Sequence, residues 1–215
     1  MPKRALIEKR PWLLASLAAA IAWYVLRDEN VPGVALIVLK GAAAALLAAY
    51  ALLRHPSTDA RILALALAFG AAGDMATELW EPDGGALFIG EHLLLIWLFL
   101  RHPREAPTPS QRAASLALLI GTPLISYLLS DMWPVGFYGL ALGAMAASAW
   151  FSSFPRYRVG MGAVLFVVSD WLIFSDLGSP EPSALRHVLV WPLYYAAQFL
   201  IATGVIQTLY RRESD

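Results

Sequence analysis

Eight apolar runs, each bounded by charged residues, proline or glycine, fill most of the chain: roughly 11–26, 32–53, 60–79, 84–101, 112–129, 133–152, 159–177 and 186–209. Most hold about 17 to 24 residues, the length of helix needed to cross the hydrocarbon of a bilayer. The pattern predicts an all-α integral membrane protein, a compact bundle of eight transmembrane helices. Every connection is short, so residues 1–215 are expected to form one domain.

Composition agrees with this picture: 59% of residues are hydrophobic and 15% charged, against about a quarter charged in an average soluble domain. Formal net charge is zero, so the balance points neither to nucleic acid nor to an acidic partner, and the distribution of charge becomes informative. Basic residues cluster at the N-terminus (Lys3, Arg4, Lys9, Arg10), in the second, fourth and sixth loops (Arg54, Arg61; Arg101, Arg104, Arg112; Arg156, Arg158) and in the tail (Arg211, Arg212). With eight spans these all lie on one side, and cytoplasmic loops are the ones that keep Lys and Arg. Arg27 and Arg186 fall opposite, beside acidic loops. Both termini are therefore expected in the cytoplasm. The end of the first run, AWYVLRDEN, lacks a small-residue cleavage site and reads as a retained helix. No cysteine is present, which excludes disulfides, thiol nucleophiles and cysteine-ligated metals within the chain.

The longest connection, RHPREAPTPSQR, is Pro-rich and charged and divides the runs into two sets of four. The halves resemble each other: Phe69 with Gly73 and Asp74 matches Phe166 with Ser169 and Asp170, and Phe88 then His92 matches Tyr194 then Gln198. That suggests a parallel 4+4 repeat.

The polar residues inside the runs carry the chemistry. Asp170 lies well within GMGAVLFVVSDWLIFSD, where an ionised carboxylate costs at least ~2.5 kcal/mol. At ~1.5 Å per residue, Asp74, Asp170, Glu91, His92 and Lys40 fall in one slab roughly 8 to 12 Å below the outer surface. Groups so expensive are expected to face inward and meet, with Lys40 the counter-ion to the two aspartates. Gly70, Gly73, Gly160 and Gly162 permit close approach of a ligand or, more simply, of a neighbouring helix. Glu78, Glu81, Asp83 and Asp176 sit near helix ends and read as solvated; His55 and His102 fall in basic loops and read as inert. Trp12, Trp80, Trp133 and Trp191 fit an aromatic belt.

Two carboxyls with a lysine and a histidine in a dry pocket suit general acid/base work, one carboxyl holding a proton while the other stays ionised. Two of the four histidines lie in cytoplasmic loops, which disfavours a multi-histidine metal site. No GxSxG elbow is present and Ser169 has no histidine nearby in sequence, which disfavours a serine hydrolase. A proton-coupled transporter or binder of a small amphiphile would use the same buried cluster. It requires polar residues leading to both surfaces, and toward the cytoplasm the runs offer mainly Gln198 and Tyr127.

GAVLFVVSDWLIF, FGAAGD, Phe88-x-x-x-His92, YYAAQFLI and a lysine early in the second run, in that order over about residues 35–205, resemble the YhhN-like membrane family that includes lysoplasmalogenases. The resemblance implies hydrolysis of the vinyl ether bond of a lysoplasmalogen to a fatty aldehyde and glycerophosphoethanolamine or glycerophosphocholine. It carries over Lys40, Asp74, His92 and Asp170 as catalytic positions, and Tyr195 and Gln198 beside them. With Glu91, Glu78, Tyr194 and Phe166, the last two form the expected substrate-binding set. The chain departs from the family pattern at Gly41, at Thr77 with Glu78, and at Glu91. The expected partners are a lysophospholipid, its headgroup near Arg186 and His187, and the bilayer, with no cofactor, metal or nucleic acid. The expected location is a bacterial inner membrane, with oligomeric state left open.

Overall fold

The computed structural model describes residues 10–177 and 183–214. Among them are eight α-helices and no strand: α1 (Arg10–Leu26), α2 (Gly33–Arg54), α3 (Thr58–Thr77), α4 (Glu81–Leu100), α5 (Pro109–Ser130), α6 (Trp133–Phe151), α7 (Met161–Leu177) and α8 (Ala184–Ser214). Seven helical segments are long and apolar enough to cross a membrane, and α1 is a shorter apolar helix of 17 residues. Helix ends lie within about a turn of the predicted runs, except that α8 continues past residue 209 to Ser214.

The chain separates into two compact units, Met1–Leu94 with Val205–Asp215, and Leu95–Gly204. The dividing points lie inside α4 and inside α8, both of which run through without a break. The Pro-rich connection after α4 lies wholly in the second unit. Within the second unit it is pinned to the segment after α6. Arg104 donates through its guanidinium to the carbonyls of Ser152 (2.9 Å) and Phe154 (3.1 Å), and the Ser153 amide donates to the His102 carbonyl at 2.8 Å. Phe154, fully buried, takes the edges of Phe99 and His102.

In the first unit α1, α2 and α3 pack through small residues. The Ser16 hydroxyl donates to the Ala43 carbonyl at 2.6 Å, and Ala43, Ala44, Ala48 and Ala51 are buried. The α3–α4 contact is reciprocal: a Cβ at Gly73 would stand 3.1 Å from the Phe88 ring, and one at Gly90 would stand 2.6 Å from the Phe69 ring. Each ring fills the space the other helix leaves, so Gly73 serves helix packing beside Asp74.

The extra length of α8 has a physical reason. Its 31 residues span ~46 Å at ~1.5 Å each, against ~30 Å of hydrocarbon, so the helix outruns the bilayer core. Its last turns cover the α2–α3 connection within the first unit. Arg54, 4% exposed, donates to the Tyr210 hydroxyl and lies over the Tyr210 ring, 3.6 Å from its centroid. His55 reads from the sequence as an inert loop residue but is buried; its Nε2 stands 3.1 Å from a Glu213 carboxylate oxygen and its Nδ1 2.8 Å from Ser57 Oγ. Ser57 in turn caps α3 by accepting from the Ala60 amide. In the Tyr210→Phe variant the ring contact stays and the hydrogen bond to a charged donor goes, which should lower stability by about 1.5–3 kcal/mol. Thermal unfolding in detergent measures it, and an unchanged midpoint would show that Tyr210 contributes its ring alone.

The second unit is built on the α5–α6 hairpin. Thr108 and Gln111 form a capping box at the start of α5. At its end Asp131 takes a left-handed conformation (φ 54°) and its amide closes on the Tyr127 carbonyl at 2.7 Å, so α6 begins two residues later. A single π-helical turn, Arg156–Gly160, leads directly into α7. A Cβ at Gly162 would meet the Ala197 carbonyl at 3.0 Å, so α7 and α8 approach closely one turn before Phe166.

Candidate active site

Of the carboxyls that the sequence places within the apolar runs, Asp74 and Glu91 are buried in the first unit and Asp170 in the second. In the first unit Asp74 is 2% exposed and follows Gly73 on α3. Glu91 and His92 are fully buried on α4, one turn beyond Phe88 and therefore on the face that Phe88 turns toward Gly73.

Lys40 departs from expectation. Its ammonium donates to Glu78 at 2.6 Å and to Thr77 Oγ1 at 3.1 Å, and stands 5.1 Å from the centre of the Trp23 ring. Its ion-pair partner is thus Glu78, at the end of α3, and the sequence reading of Lys40 as counter-ion to the aspartates is corrected. A helical side chain points back toward the N-terminus of its own helix, so Nζ lies nearer the start of α2 than the Lys40 Cα does. That end of α2 faces Glu78, one turn beyond Asp74. Lys40 reaches Asp74 only through Thr77, whose hydroxyl donates to the Asp74 main-chain carbonyl at 3.0 Å. Glu78, whose side chain is 33% exposed, is accordingly a paired residue and not simply a solvated one.

In the second unit Asp170 is 6% exposed and takes hydroxyl contacts on both oxygens. Tyr138 on α6 donates to Oδ2 at 2.8 Å, and Ser169 Oγ lies 3.2 Å from Oδ1. Ser169 also donates to the Phe166 carbonyl at 2.8 Å. The Tyr138 ring stands edge-on to Phe174, 5.6 Å between centroids, which fixes its plane. An aromatic tier on α7 and α8 lies in the same unit. Phe166 meets Tyr194 edge-on at 5.2 Å, Tyr194 accepts from Gln198 Nε2 at 3.0 Å, and Tyr195 lies between Trp191 and Phe199 at 6.4 and 6.2 Å. Trp191 is 5% exposed and belongs to this tier, although the sequence places it in an aromatic belt.

Asp176, read as solvated, has a side chain 4% exposed; it accepts from the Ser183 amide at 3.0 Å and stands 3.7 Å from Arg186. Arg186, placed by the sequence reading beside a lipid headgroup, is thus held at the start of α8.

Tyr138 is the residue that sequence reasoning missed. It sits about five residues from the start of its run, and a tyrosine in an apolar run reads as belt or core. Trp23, beside Lys40, was missed for the same reason, and Thr77 was noticed only as a departure from the family pattern.

The sequence matches the YhhN family over residues 35–205. It is 33% identical over 159 residues to the human lysoplasmalogenase TMEM86B, covering 69% of this chain and 65% of that protein. A lysoplasmalogenase of Mycobacterium bovis is 32% identical over 181 residues, covering 77% of this chain and 68% of that protein. The bovine lysoplasmalogenase TMEM86A is 29% identical over 177 residues, 73% of this chain and 69% of that protein. The chain therefore spans about two thirds of the length of the curated relatives it matches. No solved structure matches it. A family match covering most of the chain, together with relatives above 30% identity, establishes that the chain belongs to the YhhN family.

Proposed function

We propose that this protein is a lysoplasmalogenase-like hydrolase of the membrane. It cleaves the vinyl ether bond of a lysoplasmalogen with water, yielding a fatty aldehyde and glycerophosphoethanolamine or glycerophosphocholine. The relatives' names support the substrate class. The observation that carries the chemistry is Asp170, a carboxyl buried within an apolar helix and held by hydroxyls.

Vinyl ether hydrolysis starts with proton transfer to the carbon β to the ether oxygen. The O–H bond of the acid breaks, the C–H bond forms, and positive charge develops on the C–O unit as an oxocarbenium ion. Water adds to that ion, loses a proton to a base, and the hemiacetal collapses to aldehyde and alcohol. An acid, a base and local negative charge suffice, as in glycosidases. Asp170 is the acid in this reading. Asp74 activates water, with His92 and Lys40 setting protonation or meeting the phosphate. Glu91, Glu78, Phe166, Tyr194, Tyr195 and Gln198 contact the substrate. All eight helices span a bacterial inner membrane, both termini cytoplasmic, as the Lys and Arg distribution favours.

Purified protein in detergent, incubated with a lysoplasmalogen or with an acyl lysophospholipid of the same headgroup, should release aldehyde from the first and leave the second intact. Loss of acyl chain from the second, or no aldehyde from the first, would overturn the assignment.

A further inference from the structure

The two oxygens of Asp170 are not equivalent. Ser169 Oγ carries one proton and has two acceptors within reach, the Phe166 carbonyl at 2.8 Å and Asp170 Oδ1 at 3.2 Å. With Asp170 ionised, Ser169 Oγ donates to Oδ1; with Asp170 protonated on Oδ1, the same contact is kept with Ser169 Oγ accepting while its own proton goes to the carbonyl. Oδ2 is engaged differently: the Tyr138 phenol donates to it at 2.8 Å, from a ring held against Phe174.

We infer that Tyr138 is a positioning residue for the acid: by donating to Oδ2 it leaves the transferable proton on Oδ1, on the Ser169 side of the carboxyl. This rests on the reading of Asp170 as the acid. When the proton leaves Oδ1 for the vinyl carbon, the Tyr138 bond to Oδ2 remains and the Ser169 hydroxyl can turn from the carbonyl to Oδ1. Both oxygens of the new carboxylate then accept a hydrogen bond without movement of the backbone. Tyr138 thus serves both states of Asp170, and Ser169 changes role between them. None of this requires Tyr138 to touch the substrate.

The test is the Tyr138→Phe variant, read in two ways. Turnover of lysoplasmalogen should fall roughly 10- to 100-fold in kcat with KM unchanged, because a misaligned acid slows chemistry without weakening binding. Infrared difference spectra should show a protonated-carboxyl C=O stretch that Asp170→Asn removes and that moves to higher wavenumber in Tyr138→Phe, where the carbonyl oxygen has lost its donor. Incorporation of 3-fluorotyrosine at position 138, a stronger donor of nearly the same shape, should move the band the other way and keeps the test open should the phenylalanine variant fold poorly. An unmoved band, the absence of such a band, or an unchanged kcat would overturn the inference. A wild-type protein that releases no aldehyde but shows the band shifts would instead overturn the hydrolase reading and leave the Tyr138–Oδ2 bond standing.

Discussion

In the Asp170→Asn variant, aldehyde release falls by at least about 100-fold while the protein stays folded, because a positioned acid contributes about 10²- to 10⁴-fold. Asparagine keeps the shape and most of the hydrogen bonding. Its amide oxygen can accept from Tyr138 as Oδ2 does at 2.8 Å, and its NH2 can donate to Ser169 Oγ, which lies 3.2 Å from Oδ1. What is lost is the transferable proton. The measurement is kcat for lysoplasmalogen beside the thermal midpoint of the same sample. Near-native kcat would remove Asp170 from the mechanism; a large fall in midpoint would make its role structural. Asp170→Ala is the less informative change, since it removes the acceptor of the Tyr138 hydroxyl and empties a buried position together with the proton.

The spans were legible because the apolar run is the strongest signal a chain carries, and α6 occupies Trp133–Phe151 where the run reads 133–152. Partners were less so. Asp74 and Asp170 stood out as charges in hydrocarbon, and both are buried. Lys40 was found but its partner was not, because a lysine reaches a full turn along its helix and the residue facing its Cα is not the one that meets its Nζ. Tyr138 was invisible for another reason: a phenol has no charge to penalise, so only its distance to Asp170 shows what its hydroxyl does. At 101–112 proline and charge mark the connection between the fourth and fifth helices, but not that Arg104 ties the segment down. His55 shows the same limit, since its burial depends on α8 returning over it some 150 residues later in the chain.

Asp74→Asn should lower kcat by at least about 100-fold if its carboxylate takes the proton from water. Lys40→Met should do far less, and the contrast between the two is diagnostic. Lys40 pairs with Glu78, whose side chain is 33% exposed, and it touches Asp74 only through Thr77 and a main-chain carbonyl. A pair that open to solvent is worth no more than about 1 kcal/mol, which is roughly fivefold. Were Lys40 the counter-ion that the sequence suggests, losing it would leave Asp74 buried without its cation and the two variants would fall together. Asp74→Glu sharpens the comparison: a carboxylate displaced by one methylene in a site 2% exposed keeps the base but misplaces it, so a smaller loss is expected than with asparagine. Equal loss in Asp74→Asn and Lys40→Met, with folding intact, would show that Lys40 acts at the carboxylate or on the phosphate beyond its pairing with Glu78. Full activity in Asp74→Asn would leave the base to another residue, and buried His92 on α4 would be the next to replace.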